Sequence, residues 1–195
     1  MVTQNKLPPC IKAWIYPVIS KQDYSMRIIL KVAIHLLLLT WAAQIIWLGS
    51  QDALGADPVK AIIHFFGIGA VNLLLITLCI SPIAKYFKLA IVMQQRRLIG
   101  LYSFVYACLH ILSYWWFELN FSFNMFVNEL TKRPYIWLGM VAFTILTALA
   151  ITSPNVCKRW LKYRWQIVHN FVYIAILLAV WHFFLSRKAD ILEPT

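Results

Sequence analysis

The sequence predicts an all-α integral membrane protein, a bundle of five transmembrane helices, and three observations carry that prediction. Of its 195 residues 62% are apolar and 13% charged, with a mean hydropathy of +0.70, whereas a soluble domain is apolar at roughly half its positions. Five windows, 32–51, 61–84, 98–117, 134–157 and 165–186, each run for 20 or more residues without Asp, Glu, Lys or Arg. About 20 such residues in a helix cross a hydrocarbon core. The charges gather between the windows: thirteen of the eighteen Lys and Arg fall in 1–31 and in the second and fourth connections, and six of the seven acids fall on the other side. That bias places the N-terminus in the cytoplasm and, after five spans, the C-terminus outside. The net charge of +11 therefore sets topology. It forms no stripe on one face and does not indicate nucleic acid.

Residues 1–26 read as a cytoplasmic, partly interfacial tail with Trp14 and Tyr16 at headgroup level, 27–186 as the transmembrane unit, and 187–195 as a periplasmic tail. The basic start is long, contains Pro8, Pro9 and Pro17, and does not match a cleavable signal. The first span carries His35 one turn beyond Lys31, where interfacial water can satisfy the ring. Asp57-Pro58 then opens the second span, with Asp as N-cap and Pro at the first helical position. That span holds His64 toward its outer end and Gly67 and Gly69, which make room for a close neighbour. Pro82 is expected to close it. The connection from Lys85 and Lys88 to Arg96 and Arg97 reads as a segment lying on the anionic inner leaflet.

The third span carries His110 about 20 Å from its inner end. The loop 118–133, with Asn120, Phe121, Asn124, Asn128 and Glu129, is the best place to dock a periplasmic protein. The fourth span starts at Pro134, has no ionisable group beyond Tyr135 and Cys157 at its edges, and is assigned to packing. The fifth carries His169 near one end and His182 about 27 Å in, and helix tilt can bring His182 level with His110.

Imidazoles inside apolar spans point to a proton relay, a ligand contact or metal ligation. Neutral imidazole is an axial ligand of haem iron, so His110 and His182 on two helices in the outer half suit bis-histidine ligation there. His169 marks an inner position, but the two fifth-span rings point about 140° apart on an ideal helix. A local helical distortion, or a second ligand on another face such as His35, would resolve this.

Other classes are weaker. A stand-alone metalloreductase needs a nicotinamide and flavin domain, and no G-x-G-x-x-G is present. A proton-coupled transporter calls for intramembrane Asp or Glu, which the windows lack. Cys10, Cys79, Cys108 and Cys157 have no C-x-x-C spacing, so neither zinc nor a disulfide framework is indicated.

The segments DPVKAIIHFFG, RRLIGLYSFVYACLH, RPYIWLG and RWQIVHNFVYIAILLAVWHFFL follow one another between Asp57 and Leu185, within a likeness that extends from about residue 31 to residue 185. In that order they resemble the MsrQ (YedZ) family of haem-binding membrane subunits of periplasmic methionine sulfoxide reductase systems, and more broadly the ferric-reductase transmembrane family. The resemblance implies a cytochrome b of the bacterial inner membrane with one or two haems b. Its electrons would come from the quinol pool or a cytoplasmic flavin reductase and go to a periplasmic molybdopterin reductase of the MsrP type, with no substrate-reducing site of its own. It puts the iron ligands at His110, His169 and His182, places His64 in the second-span motif, and associates the family with FMN, for which the sequence shows no motif. Family members usually carry a sixth span, and this chain ends at SRKADILEPT.

Overall fold

The computed structural model describes residues 21–192; Cys10, Trp14, Tyr16 and most of the expected tail lie outside them. The described residues form helices and no strand: α1 Lys21–Ser50, α2 Pro58–Tyr86, α3 Ala90–Phe117, α4 Phe123–Lys132, α5 Tyr135–Ile151, α6 Asn155–Leu161, α7 Arg164–Asn170 and α8 Val172–Leu192. The all-α membrane class is borne out. Four stretches, 24–50, 58–86, 90–117 and 164–188, are long and apolar enough to cross a membrane, and a fifth crossing is made by α5 if the bent pair α4–α5 counts as one. At 17 residues, α5 rises about 25 Å, slightly short of a ~30 Å core.

Side-chain contacts fix the directions. Gly67 of α2 lies against His110 of α3, Gly69 against Tyr106 and Thr77 against Gly100, so numbers fall on one helix as they rise on the other. These helices form an antiparallel hairpin. Tyr135 and Gly139 of α5 meet His182 of α8, and Thr152 meets His169 of α7, which makes a second hairpin. Phe104 stacks on Phe143 with ring centroids 5.8 Å apart and Arg97 reaches Ser153, which joins α3 antiparallel to α5. α1 runs parallel to α3, since His35 meets Tyr102 and the Tyr106 hydroxyl donates to the Leu38 carbonyl at 2.7 Å.

The core lies between the hairpins: Phe66, Leu74, Tyr106, Leu146 and Ala175 are buried. Outside it Leu36, Leu37, Trp41 and Trp47 of α1 are exposed, as expected where the solvent is lipid tails. Two buried hydroxyls find backbone acceptors: Ser103 donates to Ala70 at 2.8 Å and Thr77 to Leu73 at 2.8 Å. Gln95 is 1% exposed with neither amide atom hydrogen-bonded. Arg27 Nε and Ser81 Oγ are also buried and unbonded, and the register sets them near Gln95 on α1 and α2.

Several boundaries move. α1 begins at Lys21, inside the segment read as tail, and α8 continues to Leu192, beyond residue 186. Asp57 caps α2 as expected, its side chain accepting from the Lys60 N–H at 3.0 Å. Pro82, however, lies within α2 and does not close it. A membrane helix packed on its neighbours tolerates the missing N–H. The helix ends at Tyr86 with Phe87 as its C-cap, and Lys88 turns the chain with φ 56°. The basic connection is therefore only three residues long, because α3 starts at Ala90 and already contains Arg96 and Arg97. Charge marked the wrong boundary: Arg97 is held inside the helical region by Ser153 Oγ at 3.1 Å and Asn155 Oδ1 at 3.0 Å. The segment 118–133, expected as a loop, is also not a loop throughout. Ser122 caps α4, which bends 115° from α5 and presents Phe123, Met125 and Val127 outward, the posture of an amphipathic interfacial helix.

Candidate functional site

Two imidazoles face one another between the hairpins. The rings of His110 and His182 have centroids 6.3 Å apart at an interplanar angle of 75°. Both are held in the same way: His110 Nδ1 is 2.9 Å from the Ile63 carbonyl and His182 Nδ1 is 2.8 Å from the Tyr135 carbonyl. A carbonyl only accepts, so each Nδ1 carries the proton and each Nε2 keeps its lone pair. This fixes tautomer and orientation, as a hydrogen bond from the other ring nitrogen does for metal-ligating histidines.

Two glycines give the rings their space. A Cβ on Gly67 would stand 3.0 Å from His110 Nδ1, and one on Gly139 would stand 3.0 Å from Nδ1 and Cε1 of His182. The two half-sites share a register. Ile63, Gly67 and His110 become Tyr135, Gly139 and His182 on adding 72, and each histidine lies 43 residues after its glycine. Ala70 with Ala142, Leu74 with Leu146, and Ala107 with Ala179 repeat the same offset among the cavity-lining residues.

A cavity of about 440 Å³ opens between these rings, within the ~300–1,000 Å³ of ligand pockets. Two metal–imidazole bonds of about 2 Å, plus about 1 Å from each nitrogen to its ring centre, call for centroids about 6 Å apart; 6.3 Å is observed. The donor chemistry, the spacing and the walls fit a haem held by these two side chains. Among the described residues no cluster of three His, Cys, Asp or Glu is arranged for a directly bound metal ion.

The model of the ferric reductase like transmembrane component matches residues 66–180, more than half of the chain. A protein-methionine-sulfoxide reductase heme-binding subunit MsrQ of Klebsiella pneumoniae is 44% identical over 169 residues, 85% of this chain and 82% of that protein. The MsrQ of Xanthomonas euvesicatoria is 43% identical over 157 residues, 80% of this chain and 72% of that one. The chain belongs to the ferric-reductase-like transmembrane family, in its MsrQ branch. No solved structure matches it.

The remaining histidines of the chain lie in three places. His64 lines the cavity beside His110. His169 is about 19 Å of helix from His182 by the spacing of 13 residues. Its Nε2 is 3.3 Å from Thr152 Oγ1, and its ring stacks on Trp165 with centroids 4.0 Å apart. Thr152 Oγ1 donates to the Ala148 carbonyl at 2.7 Å, so it accepts from His169 Nε2 and leaves Nδ1 as the lone-pair nitrogen. The expected distortion of the fifth span appears at Phe171, which separates α7 from α8 and bonds back three residues to Val168. One such tightened turn adds about 20° per residue, which does not bring His169 and His182 onto one face.

At the depth of His169 the third helix presents Arg97, since Arg97 and His169 reach the adjacent residues Ser153 and Thr152. His35 is bonded to Tyr102, five residues farther out along α3, or about 7 Å of rise. The structure thus assembles His110, His182 and His64 at one site and leaves His35 and His169 at two others. The supporting carbonyls and Gly139 escaped the sequence reading, although the repeated 43-residue glycine–histidine spacing was there to be found.

Proposed function

We propose that this protein is a haem b-carrying electron conduit of the bacterial inner membrane, serving a periplasmic methionine sulfoxide reductase of the molybdopterin type. The observation that carries this reading is the paired imidazoles of His110 and His182, each held by a backbone carbonyl and spaced for one iron. The relatives named as heme-binding subunits of protein-methionine-sulfoxide reductase support it.

The bound haem supplies a one-electron carrier. His110 and His182 hold it from opposite hairpins, so neither hairpin can shift without straining the site. Ala70, Leu74, Ala142 and Leu146 exclude water from its deep side, and Gly67 and Gly139 let the rings sit close to the backbone. His169 is the inner ligand candidate, one turn from the basic stretch Lys158–Arg164, with Nδ1 as its donor atom. The thirteen basic groups of the inner side suit an anionic donor, a reduced flavin on a cytoplasmic reductase, and quinol is the membrane-borne alternative. The acidic outer side suits delivery outward. In this reading the N-terminus is cytoplasmic and the C-terminus periplasmic.

The test is the absorption and EPR spectrum of the purified protein. Wild type should show a low-spin haem b signal, and His110→Ala or His182→Ala should remove that of the outer site. A full bis-histidine spectrum in both variants would overturn the assignment.

A further inference from the structure

The cavity is polar at one end only. Ala70, Leu74, Ala142 and Leu146 wall its deep end, while Lys60, Tyr114, Glu118 and Arg133 stand at its outer mouth. The two cations come from opposite hairpins. Lys60 precedes Ile63, whose carbonyl holds His110, by three residues; Arg133 precedes Tyr135, whose carbonyl holds His182, by two. Both are in ion pairs at the surface, Lys60 Nζ with Asp57 at 3.5 Å and Arg133 Nε with Glu129 at 3.1 Å. The first pair is exposed on both sides and holds weakly; in the second, Glu129 is only 22% exposed and also accepts from the Tyr114 hydroxyl at 3.5 Å.

Two axial imidazoles fix the iron and the plane of a haem but not the rotation of the ring about the line joining them. That rotation decides where the two propionates go. An ionised carboxylate turned toward Leu74 and Leu146 would be buried without a partner, which membrane interiors penalise heavily. We propose that Lys60 and Arg133 hold the two propionates, one from each hairpin, and so set the rotation of the haem with its carboxylate edge at the outer mouth and its hydrocarbon edge inward. This rests on the haem reading above. The guanidinium fork of Arg133 can serve more than one carboxylate, and the Lys60 ammonium has three donors. Glu118, at the same mouth, opposes the arrangement by like charge, while Asp57 and Glu129 compete for the two cations.

The experiment uses the full-length purified protein, loaded with haem b or with haem b dimethyl ester, whose propionates are neutral. The readouts are the low-spin spectrum and the rate of loss to excess apomyoglobin. From wild type the ester should leave about tenfold faster or more, as expected for lost charge-assisted hydrogen bonds. In Lys60→Met/Arg133→Met the two should leave at nearly equal rates. Glu118→Gln should slow the loss of haem b. Where the double variant fails to fold, Lys60→Met alone, at an exposed position, should shrink the difference, and Arg133→Lys should keep most of it. If the ester-to-haem ratio is the same in the variants as in wild type, the cations do not hold the propionates. If wild type takes up both forms with equal strength the haem reading stands and this proposal falls, whereas uptake of neither overturns the haem reading itself.

Discussion

Replacing Gly139 with Ala tests how His182 is held. The added Cβ would lie 3.0 Å from Nδ1 and Cε1 of His182 and 3.2 Å from Cγ, where carbon contacts are comfortable at about 3.5–4.0 Å. The ring must retreat by about 0.5 Å or more. It cannot do so freely, because Nδ1 is tied to the Tyr135 carbonyl at 2.8 Å, and such a retreat carries the bond beyond the ~3.2 Å limit of a good N–H···O contact. Overpacking of this kind costs about 1–3 kcal/mol, or roughly 5- to 150-fold in haem affinity if it falls on the ligand geometry. The helix itself gains up to about 1 kcal/mol from losing a glycine. Thermal stability of the haem-free protein should therefore change little while haem occupancy drops. The assay is haem per protein by pyridine haemochrome, with EPR for the low-spin form. Gly67→Ala, whose Cβ meets His110 at 3.0 Å, should behave alike. Gly69→Ala is the comparator: its Cβ would be 2.6 Å from Tyr106 Cδ1, so it should lose stability and keep haem. Full occupancy and an unchanged low-spin signal in Gly139→Ala would refute the idea that this glycine sets the ligand ring.

Two further outcomes follow from the half of the bundle around His169 and Gln95. His169→Ala should lower haem content or simplify the redox titration while leaving the His110–His182 signal intact; an unchanged titration would make His169 structural, held by Thr152 and Trp165. Gln95→Leu should raise the midpoint of thermal unfolding, because an unbonded buried amide forfeits about 1–3 kcal/mol that an apolar side chain does not; a lower midpoint would show that the amide is satisfied in the membrane-embedded protein.

The sequence by itself determined the all-α membrane class, since charge-free windows long enough to span a bilayer leave the backbone no other way to satisfy its hydrogen bonds. It determined the Asp57-Pro58 start of α2 as well, because capping is a local interaction. It also singled out the histidines, whose rarity in hydrocarbon makes each one informative. Depth was less legible. Counting from Arg97 as a boundary left His110 and His182 about 7 Å apart along the normal, but Arg97 is drawn into α3 by Ser153 and Asn155, fifty-odd residues away. No local signal marks such a contact. Only the tertiary structure brought the two rings to 6.3 Å and left His35 with Tyr102 and His169 with Thr152. The physical reason is that periodicity gives the face a side chain takes on its own helix, while the level at which two helices meet is set by packing between them. Here that packing is decided by small residues: Gly67 admits His110, Gly139 admits His182, and the carbonyl one turn earlier on each helix turns both nitrogens to the same use.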